Sequence, residues 1–131
     1  MKFARLVFLI AGIWGVLIIA PLYFLLDVVG RQAPPVVTHP EFYYGFVTVT
    51  LMWQVAFFVI ATDPARYRAL MIPPALAKVG YVIMIVILHL QGRVARDQLF
   101  FASTDFVLAI LFVAAFMKAK GATEDRHLRR G

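Results

Sequence analysis

Four apolar runs, 6–26, 43–62, 69–90 and 99–117, alternate with short polar stretches and occupy most of the chain. Each is long enough to cross a bilayer, since ~20 residues at ~1.5 Å rise match a hydrocarbon core about 30 Å thick. The pattern predicts an all-α polytopic membrane protein, an antiparallel bundle of four transmembrane helices. It forms a single domain over residues 1–131 and ends in a basic tail at 118–131. The first two runs carry no charge, the third holds Lys78 and His89, and the fourth holds Asp105.

Proline and glycine refine this outline. Pro21 lacks a backbone donor and is expected to bend the end of the first helix. Between 27 and 42, Pro34, Pro35 and Pro40 predict an extended loop lying over the bundle mouth. Tyr43 and Tyr44 then open the second helix at headgroup depth. Asp63 with Pro64 predicts a capped start for the third helix. That helix either begins at Pro64 and is interrupted at Pro73 and Pro74, or starts spanning at Pro74. Ala11 and Gly15, one turn apart, are expected to let a neighbouring helix of the same chain approach closely.

Composition closes off several classes. With 131 residues, 63% of them hydrophobic, and a mean hydropathy of +0.85, no length remains for a separate soluble core. The net charge of +6 does not form a basic stripe with interleaved aromatics, so nucleic acid is not an expected partner. The cations sort by side instead. Lys2, Arg5, Arg66, Arg68, Lys118, Lys120, Arg126, Arg129 and Arg130 fall on one side of four alternating helices, and Arg31, Arg93 and Arg96 on the other. By the positive-inside rule the chain is a multi-pass inner (plasma) membrane protein with both termini cytoplasmic. Membrane lipids are its first partners, with the basic tail near anionic headgroups. Met1, Lys2 and Arg5 imitate a secretory leader, but the run that follows is long and Pro21 follows Ala20, so it reads as the first helix. The absence of cysteine removes disulfides, thiolate metal sites and a cysteine nucleophile.

Lys78 and His89 are eleven residues apart and return to nearly the same helical face, with Tyr81 and Ile85 between them. A lysine facing lipid costs about 2.5–3.5 kcal/mol, which turns this stripe toward the bundle; snorkelling of Lys78 to the headgroups is the equal alternative. The second helix offers Tyr43, Thr50, Gln54 and Thr62. Asp105 has the strongest functional reading, because a carboxyl inside an apolar run is expensive. The candidate ligand-binding residues are therefore Asp105, His89, Gln54, Lys78, Tyr81 and Trp53, along one polar seam. Bland readings stand beside them: His89 as an interfacial residue, Gln54 as a helix-to-helix bond, Trp14 and Trp53 as packing. Counting rise from the outer ends places Lys78 about 10 Å deeper than Asp105. The expected pairing is thus Asp105 with His89, and a direct Lys78–Asp105 pair needs tilt, Gln54 or water. No metal is expected, since only His39 and His89 fall on one side and His127 lies on the other. Neither a nucleophile elbow nor a phosphate-cradling glycine loop nor a pair of intramembrane acids is present. The cofactor, if one exists, is unidentified by these residues.

Phe42-Tyr-Tyr-Gly-Phe, Trp53-Gln54, Asp63-Pro-Ala-Arg-Tyr-Arg-Ala-Leu-Met, Lys78 and Asp105 resemble a family of small, uncharacterised four-helix bacterial inner-membrane proteins. Its helix count is similar to that of the broader DoxX-like group, which includes oxidoreductase-associated membrane subunits. The resemblance covers the middle half of the chain and implies no catalytic residue. Small multidrug transporters, which depend on a glutamate in their first helix, do not fit, and sterol-isomerase-like proteins need more intramembrane acids than Asp105 alone.

The expected function is non-enzymatic binding of a hydrophobic or amphipathic small molecule, a lipid or quinone-like compound, at the seam. The alternatives are an accessory or assembly subunit of a larger membrane complex, a homo-oligomer, a lipid-modifying enzyme, and a proton or ion conduit.

Overall fold

A computed structural model describes residues 1–130, with Thr123 described for its backbone only. The described chain contains helices and no strand: α1 (Lys2–Ile19), a 3-10 turn (Ala20–Phe24), α2 (Leu26–Gln32), α3 (Pro40–Thr62), a second 3-10 turn (Arg68–Met71), α4 (Ile72–Leu90) and α5 (Asp97–Leu128). With their 3-10 extensions, α1, α3, α4 and α5 are long and apolar enough to cross a membrane. No more than 28% of any span's apolar window is buried within the protein. So much outward apolar surface is what a bilayer solvates and water does not.

The elements depart from the sequence expectation where local chemistry intervenes. Pro21 converts the end of the first run into a 3-10 turn, because it cannot donate to the α-helical ladder. The loop predicted from residue 27 contains α2, with Asp27 in its first turn and Arg31 in its last, charges that suit the helix dipole. Pro40, expected to be extended, is the first residue of α3; the first turn is the one place where a missing N–H costs nothing. The Tyr43 hydroxyl donates to the Leu22 carbonyl at 2.7 Å and so clasps α3 to the turn after α1. No helix starts at Pro64. Asp63 instead builds a turn, its Oδ1 accepting from Arg66 N at 3.2 Å and its carbonyl from Tyr67 N at 3.0 Å. Helix α4 starts at Ile72 with Pro73 and Pro74 in its first turn, so the prolines open the helix and do not interrupt it. It ends at Leu90 and is closed by Gly92, whose φ of 69° is left-handed. Gly92 N donates to His89 O and Arg93 N to Leu88 O, both at 2.9 Å, a Schellman closure. The expected tail from 118 is helical to Leu128 as part of α5; Gly131 lies outside the described residues.

The core forms where α1, α3 and α5 meet. Phe8 stacks on Phe112 at 4.5 Å between centroids, and Phe57 meets both edge-on at 5.7 and 5.1 Å. Ala4, Ala11, Ala115 and Ala119 are buried around them, small enough to bring the backbones together. Helix α1 packs on α3 and α5, and α5 packs on α4, but α3 and α4 barely meet. The spatial order is therefore α3, α1, α5, α4, leaving a gap between the outer pair. Arg68 pins the second 3-10 turn to α5, donating to Phe116 O at 2.9 Å with its guanidinium 3.7 Å from the Phe116 ring.

Candidate functional site

A cleft of about 350 Å³ occupies the gap between α3 and α4, floored by α1 and α5. Each helix contributes a stripe at helical spacing: Ala11, Trp14, Gly15 and Ile18 from α1; Phe46, Thr50, Trp53, Gln54 and Phe57 from α3; Pro74, Ala77, Lys78 and Tyr81 from α4; Phe101, Thr104, Asp105 and Leu108 from α5. The i, i+3, i+4, i+7 recurrence is the face one side of a helix presents. Five of the six residues singled out from sequence, Asp105, Gln54, Lys78, Tyr81 and Trp53, lie on this cleft.

At its heart Lys78 Nζ donates to Asp105 Oδ1 at 2.7 Å, with the two side chains 18% and 27% exposed. This corrects the expected depth mismatch. Helix α5 begins at Asp97, not 99, and α4 ends at Leu90, so Lys78 and Asp105 lie ~18 and ~12 Å from those ends. The remaining ~6 Å is within a lysine's reach. Lys78 points inward and does not snorkel away. Its ammonium also lies 5.9 Å from the Phe112 centroid, so the pair adjoins the aromatic core. A charge-assisted bond of this length neutralises both ions where neither would be stable alone.

His89 is not part of this group, and the expected Asp105–His89 contact is absent. Its Nδ1 donates to Val94 O at 3.2 Å, while its carbonyl accepts from Gly92 N. Both bonds fold the 91–96 connection back on α4, and the histidine serves the turn.

Gln54 is 6% exposed, the one buried polar residue among those described. Its Nε2 donates to Thr50 O at 2.8 Å, within α3 and not across to another helix. Among the described residues no fully buried side-chain polar atom lacks a partner, and Gln54 Oε1 accepts no hydrogen bond there. That oxygen therefore keeps some exposure, beside Gly15 on the wall of the cleft. Gly15 makes room for it, since a Cβ at that position would collide with the Gln54 amide. The cleft thus presents an amide oxygen, the Tyr81 hydroxyl and the Lys78–Asp105 pair inside a wall of Trp14, Phe46, Trp53 and Phe101. A few polar groups converging in an aromatic and aliphatic cavity suit a small amphipathic molecule.

The sequence did not mark Trp14, Gly15 or Phe46 as cleft residues, and Phe101 and Thr104 were not singled out at all. The signal was available: extending each stripe from Gln54, Lys78 and Asp105 by three and four residues reaches Thr50 and Phe57, Pro74 and Tyr81, Phe101 and Leu108. Among the described residues no group of three or more metal-ligating side chains converges.

No family model matches the chain, and no match is found among curated proteins or among solved structures.

Proposed function

We propose that this is a multi-pass bacterial inner-membrane protein that holds a lipid or quinone-like molecule in the cleft between α3 and α4, without acting on it chemically. The observation that carries the proposal is the position of the polar groups. Lys78, Asp105, Gln54 and Tyr81 gather at the gap between α3 and α4, a position that acyl chains would reach where both helices cross the bilayer. Because lysine and aspartate neutralise each other, the site suits an uncharged polar head that accepts or donates hydrogen bonds, with its apolar body along Trp53 and Phe46. Asp105 Oδ1 is already engaged by Lys78, so the pair is held in place to orient a head group.

The proposed topology is four antiparallel spans with both termini cytoplasmic. Arg5 at the start of α1 donates to Thr62 O at the end of α3, and Tyr43 near the start of α3 donates to Leu22 O past the end of α1, which supports opposite directions for that pair. The excess of Lys and Arg at the α1 start, the 63–68 turn and the α5 end supports the inward placement of that side. The DoxX-like resemblance belongs to this proposal and adds no residue to the site.

Native mass spectrometry of the protein released gently from detergent tests the reading. We expect a bound small mass on the wild-type chain, lost in Asp105→Asn and in Gln54→Leu while both variants remain monodisperse. A bare chain in all three proteins would overturn it.

A further inference from the structure

The basic end of the molecule holds a second cavity, of about 490 Å³, lined by Asp63, Ala65 and Arg66 from the turn after α3 and by Arg126, His127 and Arg130 from the end of α5. We infer that it binds the phosphate of an anionic headgroup or other phosphate-bearing molecule. The inference stands apart from the cleft between α3 and α4.

The turn is built to present these groups. Pro64 ends α3 at Thr62, and Asp63 then ties the turn by accepting from Arg66 N. The same carboxylate receives Arg126 in a fork, Nη1 to Oδ2 at 3.2 Å and Nη2 to Oδ1 at 3.4 Å. Asp63 is therefore spent in holding α5 over the turn. Among the described residues the guanidiniums of Arg66 and Arg130 form no salt bridge within 4.0 Å, and Arg66, whose charge is felt by Asp63, lies 5.6 Å from the Tyr67 ring. Three guanidiniums against one carboxylate leave the cavity positive. Planar forks suit the several oxygens of a phosphate. The cavity is much larger than a bare phosphate, so a substituent fits beside Ala65. It lies directly after the last residue of a span, the level at which phospholipid headgroups sit if α3 crosses the bilayer.

The experiment compares adducts retained by the full-length detergent-purified protein in native mass spectrometry, titrated with phosphatidylglycerol, with phosphatidylcholine and with inorganic phosphate. We expect phosphatidylglycerol to be retained over phosphatidylcholine, with the preference falling about 20-fold in the Arg66→Gln/Arg130→Gln variant, on the order of fivefold per guanidinium. The Arg31→Gln/Arg93→Gln variant, altered at the other end, should keep the wild-type preference. If inorganic phosphate binds alone and competes with the lipid in an arginine-dependent way, the site takes soluble phosphates. If only the lipid binds, the source is the membrane. Equal retention of both lipids with no phosphate adduct, or an undiminished preference in the Arg66→Gln/Arg130→Gln variant, overturns the inference.

Discussion

Lys78 and Asp105 are each expensive in an apolar span and are tolerated because they meet. Removing one partner leaves the other uncompensated, whereas replacing both by apolar groups removes the problem along with the bond. Lys78→Met alone should therefore destabilise the protein by about 3 kcal/mol, and Lys78→Met/Asp105→Leu by clearly less than the sum of the two single changes. Thermal unfolding in detergent measures the cycle, and additive effects would show that the pair is not energetically coupled. Asp63 gives a residue-scale prediction outside the spans. The Arg126 hydrogen bond, then the Arg66 backbone N–H, hold its carboxyl below the usual value. A carboxyl depressed on folding stabilises above its unfolded value and loses that contribution as pH falls through the folded one. The contact between α5 and the turn should thus loosen below about pH 4, seen as lower amide protection factors across 120–128. Asp63→Asn should show low protection factors there already at neutral pH, with little further change on acidification. The ionisable residues that matter were legible in the sequence, because each interrupts an apolar run. Their pairing was not, since it turned on a two-residue error in where α5 starts.

At the scale of elements, helix existence followed from apolar length, while boundaries were decided by proline. Pro40 and Pro73 sit in first turns and start helices; at Pro64 Asp63 makes the capping bond to Arg66 N, but the turn it caps runs into the 3-10 turn at Arg68–Met71 and does not extend as an α-helix. The same periodicity that drew the spans also encoded their contact faces. Ala11 and Gly15 were expected to admit a neighbouring helix, and α3 is that neighbour: a Cβ at Gly12 would lie 2.7 Å from the Phe58 ring, and one at Gly15 would strike the Gln54 amide. Gly15→Leu should accordingly cost about 2 kcal/mol through overpacking and displace Gln54 toward the cleft. Gly45→Ala and Gly80→Ala, where an added Cβ meets nothing within 4 Å, should change stability by less than about 0.5 kcal/mol. Denaturation midpoints in one detergent rank the three. Equal effects at all of them would mean that the close approach of α1 and α3 is not what Gly15 provides.

At the scale of the molecule, the order α3, α1, α5, α4 was not readable, because each span is apolar nearly all round and any face can meet lipid. That order makes the cleft: α1 and α5 form the packed centre around Phe8 and Phe112, and the two flanking helices are left apart. It also gathers most of the cations, including Lys118 over the Phe3 ring at 4.1 Å, at the end opposite Arg31 and Arg93. The cation-rich end is the cytoplasmic one by the positive-inside rule, and the lack of native cysteine lets each end be located directly. Single cysteines placed by Arg31→Cys and Arg93→Cys should react with a membrane-impermeant maleimide on intact cells. Lys120→Cys and Arg129→Cys should react only after permeabilisation. The opposite pattern would invert the protein and place the arginine cavity on the outer face. Labelling of all four from one side would break the alternation of spans on which both the cleft's place within the membrane and the cavity's depth depend.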